Sequence, residues 1–329
     1  MFKENQHQLF NLFKKAQDSK TDSYSTSLPY YLLTGRKGCK VYSNGEASIV
    51  VAIHPHLDKK LLVFPELNGN GDLTVQILNQ LASKGLGIQL ARYTEDDHLR
   101  LQAALKRDAT SLISSVKLVS EDILDWKYPA HIINTARVSE LKGKEFNGLR
   151  KVFNRVSALE DFKITPLHEP EGINKMKASV LIWAGLMIHA GKENNHDMRE
   201  FYDTLIQHIV TFPQMFDGFI INHQGEPAGF TVWDNMGEET ATALASLSRR
   251  SINNMSAFQL IEASKRLHEK GITRLNLGGS ETPELNNFKL KFRPVDSINL
   301  SSYDVEHNLY GKHNIEEIIL APNLNDSPF

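Results

Sequence analysis

The order of hairpin, helix and strand is the sequence feature that most restricts the fold of this chain. Residues 39–55 place Asn44-Gly45 between two apolar runs, which is a strong signal for a β-hairpin. Residues 71–87 carry apolar side chains at helical spacing and end in glycines, and residues 88–94 have the composition of a strand. This alternation of strands and helices predicts a mixed α/β domain in the first half of the chain.

The second half of the sequence predicts the same order of elements. A hairpin, a strand, a helix and a further strand are expected over 216–235, 239–248, 256–271 and 272–279. Ser256 is the expected N-cap of the helix, and Gly271 is expected to end it. We therefore predict two mixed α+β domains, an N-terminal one over 1–155 and a C-terminal one over 156–329.

Cysteine content and apolar segments predict a soluble, cytoplasmic protein. The single cysteine, Cys39, excludes an intramolecular disulfide and indicates a reducing compartment. The first 20 residues lack the uninterrupted apolar stretch of a secretion signal and predict an amphipathic helix. The most apolar segment, residues 180–191, is too short to span a bilayer, so we expect a buried helix there.

Positive charge is concentrated in one segment near the middle of the chain. The formal net charge of all 329 residues is -2, yet the segment 140–156 sets Lys142, Lys144, Arg150, Lys151 and Arg155 against only Glu140 and Glu145. Such a patch can bind a polyanion, although most charge runs are solvated helix faces. The residues alone leave both interpretations open.

Two motifs, in this order, resemble one known family. The first is YPAHIINTARVSELKGKEFNGLRKVFNRV at residues 128–156, and the second is LNLGGSETPELNNFKLKFRP at residues 275–294. Both are similar to the phosphatidylglycerol lysyltransferase C-terminal family, which is related to the Fem-type transferases. The resemblance covers roughly residues 41–303. It implies a tandem GNAT-like acyltransferase fold with the active cleft in the C-terminal domain.

The resemblance also implies a donor. Members of the family take an aminoacyl group from aminoacyl-tRNA and form an amide or an ester, so no resident cofactor is expected. No metal is expected either, and the sequence contains no His-Glu-x-x-His motif. The residues implied in binding tRNA phosphates, at the junction of the two domains, are Lys144, Arg150, Lys151 and Arg155.

Candidate site residues in the C-terminal domain follow from the same resemblance. Lys289 is the candidate catalytic residue, because a lysine beside the cleft can donate to the oxyanion that forms during acyl transfer. Arg293 lies four positions further and would share a helical face with Lys289. Arg249, Arg250 and Asn253 occupy the segment where GNAT enzymes bind the donor.

The sequence departs from the family in two ways. Membrane-acting members carry a transmembrane domain ahead of this part, and no such segment is present here, so a soluble small molecule is the expected acceptor in place of a lipid. Where the family has an acidic residue shortly before an arginine, this chain has Ser248 followed by Arg249. If the acid holds the ammonium group of the amino acid, its absence disfavours an aminoacyl donor or indicates a different amino acid.

Two further functions stay open on the sequence. An N-acyltransferase could use acyl-CoA or an acyl carrier protein, but the segment RRSINNMSAF lacks the glycines of an ordinary acetyl-CoA loop. Asn253 and Asn254 can adopt the left-handed backbone of those glycines. The other alternative is a catalytically degenerate GNAT scaffold that only binds a ligand. Trp183 and Trp233 are expected in the core, unless one of them lines the acceptor pocket.

Overall fold

The computed structural model describes residues 27–57, 59–120, 127–189 and 196–309. The helix predicted for the first 20 residues lies outside this part of the chain. The first described elements are α1 Leu28–Thr34, β1 Cys39–Ser43, β2 Ser48–Ile53, β3 Lys60–Val63, α2 Asp72–Ser83, β4 Gly87–Tyr93, α3 Glu95–Arg107 and β5 Ile113–Leu118.

The elements that follow begin with β6 and end with β13. They are β6 Ala130–Asn134, α4 Thr135–Glu140, α5 Asn147–Ser157, β7 Phe162–Pro166, α6 Gly172–His189, α7 His196–Thr211, β8 Phe216–His223, β9 Glu226–Asp234, β10 Thr240–Ser248, α8 Met255–Glu269, β11 Arg274–Asn276, α9 Pro283–Leu290, β12 Asp296–Ile298 and β13 Ser301–His307. Short 3-10 turns cover Lys144–Phe146 and Pro213–Met215.

The described residues form two compact units, which we name after their sheets. The six-stranded unit contains described residues within 34–130, 279–282 and those from 298 onward. Its strand order is β1-β2-β3-β4-β13-β5, in which β3 and β4 are parallel. The predicted hairpin is present: Asn44 Oδ1 accepts a hydrogen bond from Ala47 N at 2.8 Å, and Gly45 takes the left-handed backbone with φ 92°. One face of this sheet packs on α2 through a continuous apolar core.

The seven-stranded unit contains the described residues within 131–278 and 283–297, together with residues 27–33. Its strand order is β12-β6-β11-β10-β9-β8-β7, in which β10 and β11 are parallel. Helix α8 packs against this sheet with Phe258 and Ile261 almost completely buried. Gly271 has φ 83° just after the helix, so the predicted end of α8 is confirmed.

Each sheet includes one strand from a distant part of the sequence. Strand β6, from the first half of the chain, pairs with β11, and β13, from the end, lies between β4 and β5. The boundary predicted between residues 155 and 156 therefore falls inside the seven-stranded unit. The basic helix α5 packs on α8 in that unit, where the rings of Phe153 and Phe258 stack at 5.0 Å.

Helix α6 is less buried than the sequence predicts. Its apolar side chains Leu181, Leu186 and Ile188 are 61%, 51% and 60% exposed, while Val180 and Met187 are buried. A helix that is apolar all round is predicted to be buried on every side, but among the described elements α6 packs chiefly on α7 and on β8 and β9. Within the described part of the chain, no helix has both the length and the apolar character needed to cross a membrane.

Candidate functional site

Strands β10 and β11 separate near the middle of the seven-stranded sheet. They pair only from Thr240 to Thr242, opposite Arg274 to Asn276, where β11 ends. Strand β10 continues to pair with β9 as far as Ser248, with a register shift between Ala243 and Ala245. Among the described strands, the second half of β10 pairs only with β9.

A cavity of about 390 Å³ lies where α6 crosses the ends of β9 and β10. Its walls are largely apolar, and two arginines stand in the turn that follows β10. The lining residues used below are Trp183, Met187, Leu247, Ser248, Arg249 and Arg250. The structure thus brings two predicted donor-binding residues, Arg249 and Arg250, to one cavity.

The turn after β10 is ordered by its backbone. Arg249 N donates to Ala228 O at 2.8 Å, and Asn254 takes the left-handed conformation with φ 67° just before α8. The predicted left-handed asparagine is therefore found at Asn254, while Asn253 is exposed in the same turn and is not among the lining residues. The prediction of Ser256 as N-cap is wrong: Asn254 holds that position, and Ser256 lies in the first turn of α8.

A buried amide connects the cavity wall to the core. Gln259 is fully buried, and its Nε2 donates to the carbonyls of Phe230 at 3.1 Å and Leu247 at 2.8 Å. Its Oε1 accepts from Ser248 Oγ at 2.5 Å and Ser246 Oγ at 3.3 Å. The sequence analysis missed Gln259, although a glutamine on the core-facing side of an amphipathic helix is the signal that could have identified it.

The lack of a side chain at Gly229 leaves the space that this amide occupies. A Cβ atom at Gly229 would lie 2.3 Å from Leu247 O and 2.8 Å from Gln259 Nε2. Only glycine therefore fits at position 229, since any other side chain would displace the Leu247 carbonyl or the Gln259 amide.

Trp183, the aromatic residue of the cavity wall, is supported by ring contacts with the residues behind it. The ring of Trp183 meets Tyr202 edge to face at 5.5 Å, and Tyr202 meets Phe230 at 5.7 Å. Burial raises the pKa of Tyr202 to about 12, so the phenol is neutral at physiological pH. Trp233 is buried at 2% exposure, so of the two tryptophans considered above Trp183 lines the cavity and Trp233 lies in the core.

Lys289 is positioned by a contact at the end of β11. It is 9% exposed, and its Nζ donates to Gly278 O at 3.0 Å. Asn276 Oδ1 accepts from Gly278 N at 2.8 Å, so the turn is held on both sides. Lys289 is not among the residues that line the 390 Å³ cavity. Its predicted catalytic role stays a prediction, and the contact shown is one that stabilises the turn.

The helical relation predicted between Arg293 and Lys289 is wrong. Helix α9 ends at Leu290, and Arg293 adopts φ 54° in a turn closed by the hydrogen bond from Arg293 N to Leu290 O at 3.1 Å. Pro294 follows, and a proline disfavours helical backbone in the residue before it. Arg293 is exposed and does not share a helical face with Lys289.

The four basic residues predicted to bind tRNA divide into two kinds. Arg150 is half-buried, and its guanidinium donates to the carbonyl of Leu141, to the Gly143 carbonyl at 3.4 Å and to the side chain of Asn147. Leu141 has φ 50°, so Arg150 braces a left-handed turn before α5. The other three, all exposed, are Lys144, Lys151 and Arg155. Lys151 and Arg155 are four residues apart on α5 and share one helix face.

No set of three His, Cys, Asp or Glu side chains in the described part of the chain is arranged to hold a metal ion. The cavity offers two guanidinium groups, serine residues and apolar walls.

Comparisons with known proteins agree with the fold. A crystal structure of a conserved protein of unknown function from Bacteroides thetaiotaomicron is 15% identical with a TM-score of 0.71, and 92% of this chain and 97% of that one are covered. L-PGS from Bacillus licheniformis is 14% identical with a TM-score of 0.63, covering 95% and 94%. FemX is 12% identical with a TM-score of 0.54, covering 92% and 96%. These likenesses and the two mixed sheets confirm the predicted GNAT-like fold.

The family comparison identifies the chain. No curated protein sequence matches it. The model of one family, phosphatidylglycerol lysyltransferase, C-terminal, matches residues 127–299, which is more than half of the chain and includes both motifs found in the sequence. The predicted enzyme class, an acyltransferase, is thereby confirmed: the chain belongs to the phosphatidylglycerol lysyltransferase C-terminal family.

Proposed function

We propose that the protein transfers an aminoacyl group from aminoacyl-tRNA to an amine or hydroxyl group of an acceptor. The observation that carries this proposal is the cavity at the separated end of β10, where apolar walls meet Arg249 and Arg250. An acyl group can lie against the walls while the guanidinium groups bind phosphates of a large anionic donor. Membership of a family named for lysyl transfer supports the same chemistry.

The proposed reaction is an exchange at an ester carbonyl. The acceptor nitrogen or oxygen attacks the carbonyl carbon, and the bond from that carbon to the terminal ribose oxygen breaks. The ribose hydroxyl leaves with the proton that the nucleophile gives up, and an amide or ester forms. Negative charge develops on the carbonyl oxygen, so a hydrogen-bond donor placed there accelerates the reaction. We propose Lys289 as that donor on the strength of the family resemblance, since its Nζ donates to Gly278 O at 3.0 Å and it does not line the cavity itself.

The remaining basic residues are proposed to bind the tRNA backbone. Lys144, Lys151 and Arg155 are exposed, and a tRNA presents closely spaced phosphates to such a surface. Arg150 supports this surface through its contacts with Leu141 and Gly143. Asn253 and Arg293 remain proposed donor contacts. We propose that the reaction takes place in the cytoplasm, where charged tRNA is made.

A soluble small molecule is the acceptor that the sequence predicts, and a transfer assay can separate it from a lipid. Radiolabelled aminoacyl-tRNA is incubated with the protein and either a dialysable cell extract or phosphatidylglycerol vesicles. Label that leaves tRNA for a water-soluble product supports a soluble acceptor, while label in the organic phase identifies a lipid acceptor. If neither arm moves label and labelled acyl-CoA instead gives product, the proposed function is wrong.

Lys289 is tested in the same assay. Lys289→Met is expected to slow transfer about a hundredfold, because one donor to the oxyanion is lost. Its dissociation constant for aminoacyl-tRNA should stay close to wild type. The matched control is the exposed Lys291→Met, which should keep transfer within about twofold. A loss of donor binding and thermal stability in Lys289→Met, with the remaining rate proportional to folded protein, would assign Lys289 to the turn alone.

A further inference from the structure

We infer that His131 is a positioning residue for the proposed reaction: its imidazole fixes helix α9, so that the ammonium of Lys289 is held at the turn after β11. The inference rests on the proposed function, because it concerns the residue proposed there as the donor to the oxyanion. It is carried by hydrogen bonds that join β6, α9 and β12 within the seven-stranded unit.

The imidazole of His131 is enclosed by protein groups. The residue lies on β6 and is 3% exposed. Its Nε2 lies 2.7 Å from Asn286 Oδ1 on α9, and its Nδ1 lies 2.8 Å from Ser297 Oγ on β12. Because both ring nitrogens are engaged in this way, the ring is not placed to exchange a proton with a substrate. Its contacts instead join three elements of one unit.

The partners of the ring determine which nitrogen carries the proton. A side-chain carbonyl such as Asn286 Oδ1 can only accept, so Nε2 of His131 must donate. The neutral ring then has an acceptor at Nδ1, to which the hydroxyl of Ser297 donates. A side chain that replaces His131 must therefore supply an N–H group at the place of Nε2 to keep the contact with α9.

The contact with Asn286 lies one helical turn from Lys289. Residues three apart share a helix face, so the two side chains lie on the same side of α9. Lys289 Nζ donates to Gly278 O at 3.0 Å, and the backbone N–H of His131 donates to the same carbonyl at 3.3 Å. His131 thus binds α9 through its ring and the turn through its backbone. This arrangement fixes the helix relative to the carbonyl that receives the ammonium.

These contacts also connect the two sequence motifs. His131 belongs to the motif at residues 128–156, while Asn286 and Lys289 belong to the motif at residues 275–294. Strand β6 pairs with β11, which places His131 beside the turn that leads toward α9. A strand from the first half of the chain therefore sets the position of a helix near its end.

The test compares two amides at position 131. His131→Gln can place an N–H group where Nε2 lies and keep the contact with Asn286, whereas His131→Asn reaches only the place of Nδ1 and loses that contact. In His131→Asn, kcat for transfer from aminoacyl-tRNA should fall about tenfold with KM within about twofold of wild type, because a misplaced donor is missed mainly in the transition state. His131→Gln should keep kcat within about threefold of wild type. Equal losses in the two variants overturn the inference.

The same contact is tested from the helix, in case variants of the buried His131 fold poorly. Asn286→Ala removes the acceptor at a half-buried position and should lower kcat about tenfold with KM unchanged. The control is the neighbouring Asn287→Ala, at an exposed position of α9, which should keep kcat within about twofold. Rates are compared per folded protein, measured by thermal unfolding. A wild-type kcat in Asn286→Ala contradicts the inference.

A double-mutant cycle separates the positioning of Lys289 from a purely structural contribution. If His131 acts through Lys289, adding His131→Asn to Lys289→Met should slow transfer by less than about twofold, since the donor that it positions is already absent. A further loss of about tenfold in the double variant overturns the inference while the proposed function stands. A wild-type rate in Lys289→Met removes the donor assignment and this inference with it, but not the transfer itself. Absence of transfer by the wild-type protein is the outcome that contradicts the proposed function.

Discussion

Gln259 sets the arrangement of donors and acceptors around the cavity. One fully buried amide satisfies two backbone carbonyls, Phe230 O and Leu247 O, and receives the hydroxyl of Ser248. A polar side chain in this position costs free energy unless all of its groups are paired, and here they are. The residue therefore couples the stability of the sheet to the polarity of the site.

Removing this amide should destabilise the protein. Gln259→Leu removes two hydrogen bonds to buried carbonyls and leaves the Ser248 hydroxyl without its acceptor, so the free energy of unfolding should fall by about 2 kcal/mol. Urea denaturation with an unchanged m-value measures the effect. Gln207→Leu, at an exposed position on α7, is the control and should stay within about 0.5 kcal/mol of wild type. Similar losses in the two variants would show that the amide network contributes nothing specific.

At the residue scale, Tyr202 should also make the free energy of unfolding depend on pH. Burial raises its pKa from an ordinary value of 10.0 to about 12, so the native state keeps a proton that the unfolded chain releases above pH 10. The stability contributed by this group is complete below pH 10 and is lost as the pH rises toward 12. Tyr202→Phe should flatten the fall in the free energy of unfolding across this window. An unchanged slope between wild type and variant would contradict the assignment.

At the scale of elements, α5 combines a structural and a binding role. Arg150 braces the turn at Leu141, whereas Lys151 and Arg155 point to solvent from one helix face. Charge content alone does not distinguish Arg150, which braces a turn, from Arg155, which is exposed. The difference arises because the left-handed backbone of Leu141 directs its carbonyl toward Arg150.

The two kinds should separate in experiment. Arg150→Ala should lower the free energy of unfolding by about 1 kcal/mol, because hydrogen bonds to backbone carbonyls are lost. Lys151→Ala with Arg155→Ala should leave stability unchanged but reduce the slope of log affinity for tRNA against log salt by about 1.5. The charge-matched control in the same unit is Lys177→Ala with Arg199→Ala. If this pair reduces the slope as much, α5 is not the binding surface.

Local elements could be predicted from the sequence better than their pairing. The Asn44-Gly45 hairpin and the end of α8 at Gly271 depend on a few neighbouring residues, and both are present. The exposure of α6 depends on which elements cover it, and hydrophobicity along the chain does not contain that information. Arg249 and Arg250 could be placed at the cavity because they follow a strand end, but Gln259 acts through carbonyls of two strands far from it in sequence.

At the scale of the whole molecule, each sheet takes one strand from a distant part of the chain, so the predicted boundary between residues 155 and 156 lies inside the seven-stranded unit. Strand β6 completes a sheet whose other strands all follow residue 160, and β13 enters a sheet whose other strands precede residue 120. Such pairings are non-local, so the order of elements along the chain predicts two mixed sheets but does not assign these two strands. The family motif at residues 128–156 thus begins beside a strand of the seven-stranded sheet.

The central claim concerns the donor, and a direct comparison of two ligands tests it. Aminoacyl-tRNA and coenzyme A are titrated separately against the full chain at several salt concentrations. We predict saturable binding of aminoacyl-tRNA that is tighter than that of uncharged tRNA and weakens steeply with salt, because several phosphate contacts release counterions. Coenzyme A should bind weakly or not at all. Tight, saturable binding of coenzyme A with no binding of aminoacyl-tRNA would contradict the account.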